Sequence, residues 1–268
     1  MSGGDRCTAP RVRALKGKER IAVITAYDFP TARVADQAGV EVILVGDSLG
    51  MVVLGYESTL PVTVDEMIHH TKAVWRAKPR ALVVVDLPFM SYQTGPIEAL
   101  ANAGRLVKEG GADAVKLEGG ERAADAARAI VEAGIPVMGH IGLTPQSVLQ
   151  FGGYRVQGRG AAGADRLLAD ALALERAGVF SIVLEGMPVE LASKVTQAVA
   201  VPTIGIGAGA CCDGQVLVWH DALGFSFGHQ PRFVRRYAEL GGAAAAGLAR
   251  FVADVKQGRF PAQEESYE

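Results

Sequence analysis

Short apolar runs, each bounded by turn residues, recur along most of the chain. Runs of this kind are typical of buried strands in a parallel sheet. They predict eight strands, at 21–25, 42–47, 81–86, 114–118, 136–140, 180–185, 202–206 and 216–220.

Segments with helical spacing separate these runs, near 31–38, 64–77, 96–109, 121–133, 164–177 and 189–199, and the tail 231–258 is mostly helical in pattern. Thr63 and Glu66 form a capping-box pattern at the start of one helix. Its buried face is predicted to carry Val64, Met67, Ile68, Thr71 and Trp75. Glycine takes the left-handed conformation that closes a helix, so a repeated helix–glycine–strand junction predicts a βα repeat. Such glycines stand at 39, 110–111, 134 and 178.

The repeat predicts one (β/α)8 barrel over residues 1–268, with a short N-terminal extension, which we expect to cover the bottom of the barrel as a helix, and a C-terminal helical tail. The alternative is an open doubly wound sheet. A chain of 268 residues suits a barrel of about 250 residues. The long connections 48–63 and 141–163 follow strands two and five, on the side where barrels keep their active-site loops.

Composition narrows the class of protein. With 49% hydrophobic residues the chain can bury a full core, and its net charge of −2 argues against nucleic-acid binding. We find no secretory signal and no apolar run of membrane-spanning length of about 20 residues. Three cysteines, two of them adjacent, indicate neither a disulfide framework nor a zinc site. We therefore expect a soluble cytoplasmic protein.

Three neighbouring strands each deliver an acid at their carboxyl end: Asp47, Asp86 and Glu118. Strands lie about 4.8 Å apart, so these side chains should converge. Two carboxylates about 5 Å apart at an effective dielectric of about 20 repel by roughly 3 kcal/mol. Oxygen ligands of this kind favour a hard ion such as Mg²⁺, so the pattern predicts a metal site. The alternative is that each acid caps a helix or binds a loop amide.

Other polar residues end strands nearby. Lys116 shares a strand face with Glu118 and, inside an apolar strand, needs an anion opposite it. It would either pair with Glu118 alone or orient an anionic substrate. His140 ends strand five and could be a hydrogen-bonding residue or a substrate contact. Glu185 ends strand six, across from the acids, where a general acid or base would stand; otherwise it caps a helix.

Weaker signals carry no chemistry. Gly205, Gly207 and Gly209 resemble a dinucleotide loop but follow strand seven, so a tight turn is the better interpretation. His69 and His70 lie within a predicted helix and are assigned to solvation or packing. Cys211 and Cys212 are assigned no role.

Several motifs occur together in a fixed order: ITAYD at 24–28, VGDSLGMVVLGY at 45–56, TLPVT at 59–63, DLPF at 86–89, VKLEGG at 115–120, GHIGLTPQ at 139–146, GGYRVQGR at 152–159, VLEGMP at 183–188 and IGAG…DGQVLVWHD at 206–221. This set resembles the ketopantoate hydroxymethyltransferase family over about residues 8–266. The C-terminal stub departs from the family pattern, because Glu265 precedes Ser266 where a histidine is usual.

The resemblance implies a (β/α)8 barrel of the phosphoenolpyruvate mutase/isocitrate lyase-like group. It also implies transfer of a hydroxymethyl group from 5,10-methylenetetrahydrofolate to 3-methyl-2-oxobutanoate. The product would be 2-dehydropantoate, for pantothenate and coenzyme A synthesis. A homo-oligomer, usually a decamer, is implied as well.

The family's functional residues map onto this sequence one by one. Magnesium ligation is implied for Asp47, Asp86 and Glu118. Contacts to the ketoacid are implied for Asp47, Ser48, Asp86, Lys116 and His140. Glu185 matches the proton acceptor. No motif marks the folate-binding residues, which stay unassigned.

Two rival functions follow from the same residues. The first is a Mg²⁺-dependent, folate-independent lyase or mutase that acts on a carbon–carbon or carbon–phosphorus bond of a 2-oxo acid. The second is a barrel retained as a binding or assembly protein. The clustered acids argue against the second, since a scaffold has no reason to concentrate groups that repel one another.

Overall fold

The computed structural model describes residues 6–227 and 230–267. Parallel strands form a closed barrel in sequence order, with the last strand paired to the first. The strands are β1 Ile21–Thr25, β2 Val42–Val45, β3 Leu82–Asp86, β4 Ala114–Glu118, β5 Val137–Gly142, β6 Ser181–Glu185, β7 Thr203–Ile206 and β8 Gly214–Leu217. The predicted (β/α)8 barrel is therefore confirmed, and the open sheet is not.

Helices follow most strands. They are α1 Ala9–Ala14, α2 Phe29–Ala38, α3 Leu49–Val52, α4 Val64–Arg76, α5 Pro96–Lys108, α6 Ala124–Glu132, α7 Val148–Phe151, α8 Ala161–Ala177, α9 Val189–Ala198, α10 Trp219–Ala222 and α11 Leu240–Lys256. Short 3₁₀ turns span Glu121–Ala123, Pro145–Ser147 and Gln263–Glu265. Of the predicted helical tail 231–258, only α11 is helical.

The chain divides into two compact units, one up to Val218 and one from Trp219. The first unit holds the barrel and its helices, and the second holds α10 and α11. We predict one barrel domain with a helical tail over residues 1–268, and this stays a prediction. Residues 1–5 lie outside the described residues.

The barrel interior is apolar and closed at the amino ends of the strands. Ile21, Leu82 and Ala114 belong to a single buried cluster with Val12 of α1. Val12 has no exposed surface. The predicted N-terminal helix thus covers the bottom of the barrel, which leaves the carboxyl ends of the strands for a site.

Helix boundaries follow the predicted signals. Thr63 and Glu66 form a reciprocal capping box at the start of α4. Glycines with positive φ end helices before the next strand at 39, 111, 134 and 178. A side chain with a Cβ would be strained in this left-handed conformation, which explains why glycine recurs at these junctions.

Two details differ from the predictions made for α4 and β8. Val74 is buried on α4, whereas Trp75 is 41% exposed and lies against Gly111. Strand β8 starts at Gly214 and ends at Leu217, because its pairing with β1 ends there. The apolar run continues beyond this pairing and forms the short helix α10 instead.

The connection between β7 and β8 contains no helix. Residues 207–213, all described, form a turn in which Gly207 and Gly209 have positive φ. The glycine-rich segment is therefore the predicted tight turn and not a dinucleotide loop.

Asp213 joins this turn to the N-terminal segment. Its Oδ2 accepts hydrogen bonds from Lys16 Nζ at 2.9 Å and from Thr203 N at 2.9 Å. Burial alone would raise the pKa of Asp213, but the Thr203 amide and Lys16 outweigh burial, and the pKa is lowered. A lowered pKa in the folded state means that ionised Asp213 stabilises the fold.

We expect Asp213→Asn to lower the free energy of unfolding by about 1 to 3 kcal/mol at pH 7, because it removes a charged acceptor. The stabilisation exists above the unfolded-state pKa of about 3.9 and is lost as pH falls through the lower folded-state pKa. The difference in the free energy of unfolding between wild type and variant, measured by urea unfolding, should therefore be smaller near pH 3 than at pH 7. Glu109→Gln, which removes an exposed ion pair with Arg105, is the control and should change stability less.

Candidate active site

On each strand, alternate side chains face the barrel interior and form an inward-facing row. The candidate site lies where several of these rows end. Side chains alternate along a strand, so every second residue faces the same side. Val84 lies in the barrel interior, and Asp86 follows it two residues later. Ala114 likewise precedes Lys116 and Glu118. The apolar interior thus ends in charged side chains at the carboxyl end of the barrel.

Two further rows end in polar groups. Met138 is followed by His140 on β5, and Val183 is followed by Glu185 on β6. Gly142 lets these strands close together, because a Cβ there would lie 2.2 Å from the Glu185 carbonyl oxygen. The glycine therefore fixes the spacing of two strands that carry site residues.

Asp47, Asp86 and Lys116 form a continuous chain of contacts. The Asp47 amide donates to Asp86 Oδ2 at 3.0 Å. Lys116 Nζ lies 2.8 Å from Asp86 Oδ1, and both side chains are buried. The anion facing Lys116 at this distance is Asp86 of the neighbouring strand, so the alternative in which Lys116 pairs with Glu118 alone is wrong. Strand pairing explains the outcome, since Asp86 and Lys116 are register partners.

Glu118 is the third acid of the cluster, and it is linked to Asp47 through Gln146. Gln146 donates from Nε2 to Asp47 Oδ2 at 2.8 Å and from its backbone N to Glu118 Oε2 at 3.0 Å. The structure thus gathers the predicted acids in one buried region. The sequence analysis assigned no role to Gln146, because a glutamine in a loop carries no charge or periodic signal.

His140 lies between two acids. Its Nδ1 is 3.4 Å from Glu118 Oε1, and its Nε2 is 3.2 Å from Glu185 Oε2. Burial and Lys116 would lower the pKa of His140, but the carboxylates of Glu118 and Glu185 raise it to about 9. A protonated His140 is therefore a cation that neutralises part of the acidic charge at neutral pH.

The pKa values of the cluster show its crowding. Burial and then the carboxylates of Asp86 and Glu118 raise the pKa of Asp47 well above its usual value. Burial would also raise the pKa of Glu118, but His140, Lys116 and the Gln146 amide lower it overall. The pKa of Lys116 is raised, since its neighbouring acids, Asp86 first, outweigh burial. Perturbed groups concentrated in this way are typical of functional sites.

Ser48 and Tyr154 lie at the edge of the cluster. Ser48 directly follows Asp47, precedes α3, and its Oγ is 2.8 Å from the Tyr27 hydroxyl. The Tyr154 hydroxyl donates to the Met51 sulfur at 3.6 Å. Burial, followed by the charges of Asp47, Glu185 and Glu118, raises the pKa of Tyr154.

The residues outside the site behave as expected. His70 Nδ1 lies 2.7 Å from the Tyr27 carbonyl oxygen, so His70 has a packing role. Cys212 is buried, and burial raises its pKa to about 11, which makes its thiol unreactive at neutral pH.

A magnesium ion fits the chemistry of these donors better than it fits their present arrangement. The donors are carboxylates, and the buried Asp86 Oδ1 has no well-aligned hydrogen-bond donor among the described residues, although Lys116 is near. Carboxylate oxygen is what a hard ion prefers. In the described parts of the chain, however, no three His, Cys, Asp or Glu side chains are placed to ligate one metal as they stand.

No helix among the described residues is long and apolar enough to cross a membrane.

The fold is similar to that of solved barrel enzymes. The crystal structure of 2,3-dimethylmalate lyase, a PEP mutase/isocitrate lyase superfamily member, matches with a TM-score of 0.60 at 18% identity, covering 97% of this chain and 91% of that chain. At this identity the likeness shows the fold alone. The protein is thus a closed (β/α)8 barrel, similar in fold to that lyase, with a buried acidic cluster at the carboxyl ends of its strands.

The family follows from closer relatives. The family model for ketopantoate hydroxymethyltransferase matches residues 6–263. The 3-methyl-2-oxobutanoate hydroxymethyltransferase of Moorella thermoacetica is 60% identical, with both chains covered completely. That of Geobacter metallireducens is 56% identical over 93% of each chain. The chain belongs to the ketopantoate hydroxymethyltransferase family, and it is a transferase.

Lys116→Met should lower the free energy of unfolding by about 3 to 5 kcal/mol, because it leaves buried acids without their ammonium partner. Urea unfolding at pH 7 measures the change. Lys72→Met is the control, since Lys72 lies on an exposed position of α4. Equal stability of the two variants would show that Lys116 does not hold the cluster together.

Proposed function

We propose that this protein transfers a hydroxymethyl group from 5,10-methylenetetrahydrofolate to 3-methyl-2-oxobutanoate and forms 2-dehydropantoate. The observation that carries the proposal is the buried group of Asp47, Asp86, Glu118 and Lys116 beside Glu185, in a chain of this family. The reaction consumes one water, whose oxygen becomes the new hydroxyl group, and releases tetrahydrofolate.

Asp47, Asp86 and Glu118 would hold a Mg²⁺ ion. When bound, such an ion draws charge from the carbonyl of a 2-oxo acid and stabilises the enolate formed from it. Among the described residues, the cations that contact these three acids are one lysine and one histidine. The acids therefore outnumber the cations and can attract a dication. That these three acids ligate the ion is our proposal, since the described side chains are not arranged as the ligands of one metal.

Lys116, Ser48 and His140 would bind and orient the anionic ketoacid. Lys116 is buried, with its Nζ among the acids. Because charges interact more strongly inside the protein than in water, its ammonium would attract a nearby substrate carboxylate. Ser48 offers a hydroxyl at the edge of the cluster. His140 faces Glu185 and Glu118 and can donate a hydrogen bond from either ring nitrogen when protonated.

Glu185 would remove the proton from C3 of the ketoacid. Its side chain is 15% exposed, more than that of His140, so it can face a substrate in the barrel mouth. The electrons of the C3–H bond then form the enolate, and the enolate carbon bonds to the one-carbon unit. His140 Nε2 lies 3.2 Å from Glu185 Oε2 and would help to orient the carboxylate that accepts the proton.

We expect Glu185→Gln to bind 3-methyl-2-oxobutanoate with an affinity within about threefold of wild type but to lose C3 deuterium exchange by about 100-fold or more, the scale of general-base catalysis. NMR in D₂O measures exchange directly. Glu190→Gln, at an exposed position at the start of α9, is the matched control and should exchange normally. Normal exchange in Glu185→Gln would remove Glu185 from this role.

The whole reaction is tested by turnover of 3-methyl-2-oxobutanoate with and without the folate donor, and with and without EDTA. We expect 2-dehydropantoate only when donor and divalent metal are both present, because the enolate needs charge stabilisation and a one-carbon acceptor. Cleavage or rearrangement of a 2-oxo acid without folate would support the lyase or mutase alternative. No turnover and no Mg²⁺ binding would favour a non-enzymatic barrel.

Assembly into a homo-oligomer, a decamer as the family resemblance implies, stays a prediction, and so does a cytoplasmic location. The residues that bind the folate donor stay unassigned.

A further inference from the structure

Gln146 connects the loops that carry the proposed metal ligands. It lies in the 3₁₀ turn Pro145–Ser147 after β5 and is 4% exposed. Its Nε2 donates to Asp47 after β2 at 2.8 Å and to the Leu87 carbonyl oxygen after β3 at 2.9 Å. Its backbone N donates to Glu118 of β4 at 3.0 Å. One residue thus touches the loops or ends of three neighbouring strands.

The orientation of the Gln146 amide is determined by its partners. The Leu87 carbonyl oxygen can only accept, so the nitrogen of the amide must face it. On the other side, Gln146 Oε1 lies 2.8 Å from the Tyr92 hydroxyl and 3.1 Å from Gln93 Nε2, which both donate. The amide therefore cannot turn over without losing bonds at both ends, and a buried group that loses its bonds is costly.

Tyr92 strengthens this arrangement. Its hydroxyl accepts from the Glu118 backbone N at 3.0 Å, so its single proton is available to Gln146 Oε1 or to the Glu118 carbonyl oxygen. Tyr92 is 4% exposed. Gln146 and Tyr92 together hold Glu118 from its side chain and from its main chain.

We propose that Gln146 is a positioning residue that orients Asp47 and Glu118 toward the metal and the ketoacid, an inference that rests on the proposed function. A neutral amide is suited to this task. The side-chain amide fixes one oxygen of Asp47 by a hydrogen bond, while the backbone N–H of the same residue fixes one oxygen of Glu118. Neither donor adds charge, so the acids keep their attraction for a dication. A lysine or arginine in its place would neutralise one of them.

Gln146→Met tests the proposal, because methionine has nearly the same length but cannot donate a hydrogen bond. The backbone N–H of the variant remains. We expect Mg²⁺ affinity, measured by calorimetry with the metal alone, to fall about 10-fold or more, as for other residues that orient metal ligands. The KM for the ketoacid should rise and kcat should fall, while the KM for the folate donor stays within about twofold.

Gln150→Met is the matched control. Gln150 lies in the same loop, is exposed, and bonds Arg122 instead of an acid. It should bind Mg²⁺ as wild type does. Tyr92→Phe is the second variant, for use if Gln146→Met does not fold; it removes the hydroxyl that fixes Gln146 Oε1 and should weaken Mg²⁺ binding in the same direction by a smaller factor.

The outcomes separate this inference from the proposed function. A folded Gln146→Met, or in its place a folded Tyr92→Phe, that binds Mg²⁺ and ketoacid as wild type does overturns the inference and leaves the proposed function intact. A loss of active protein with unchanged Mg²⁺ affinity and KM means a purely structural role and also overturns it. A wild-type chain that binds no Mg²⁺ overturns the metal part of the proposed function and this inference with it.

Discussion

The site depends on the repulsion among Asp47, Asp86 and Glu118, which are buried together. Carboxylates about 5 Å apart at an effective dielectric of about 20 repel by roughly 3 kcal/mol per pair. The pKa of Asp47 is raised first by burial and then by the charges of Asp86 and Glu118. The surrounding residues compensate with the Lys116 ammonium and with hydrogen bonds to single oxygens. These groups reduce the repulsion without removing all of the negative charge, which the proposed dication would need.

The barrel separates the part of the molecule that provides stability from the part that carries chemistry. Apolar side chains fill its interior from the bottom, where Val12 of α1 closes it, and the charged residues follow on the same inward rows near the top. Because neighbouring strands are in register, Asp86 lies beside Lys116 and Glu118 lies beside His140. Parallel pairing therefore places residues that end neighbouring strands side by side around the site.

Much of the fold and of the acid cluster could be predicted because both depend on local periodicity. Alternation along β3 and β4 places Asp86, Lys116 and Glu118 on inward rows, and glycines such as Gly39 end helices for a local steric reason. The predictions failed where neighbours decide. Strand β8 ends where its pairing with β1 ends, although the apolar run continues to Trp219.

The sequence alone determined the order of strands and helices, the family, and which charged residues stand at strand ends, because these follow from short-range patterns and motifs. Only the tertiary structure decided which of those residues touch. Lys116 pairs with Asp86, and Gln146 reaches Asp47 across 99 positions of sequence. The physical reason is that closure of the barrel brings loops from separate strands together, and a hydrogen bond between such loops leaves no periodic trace in the chain.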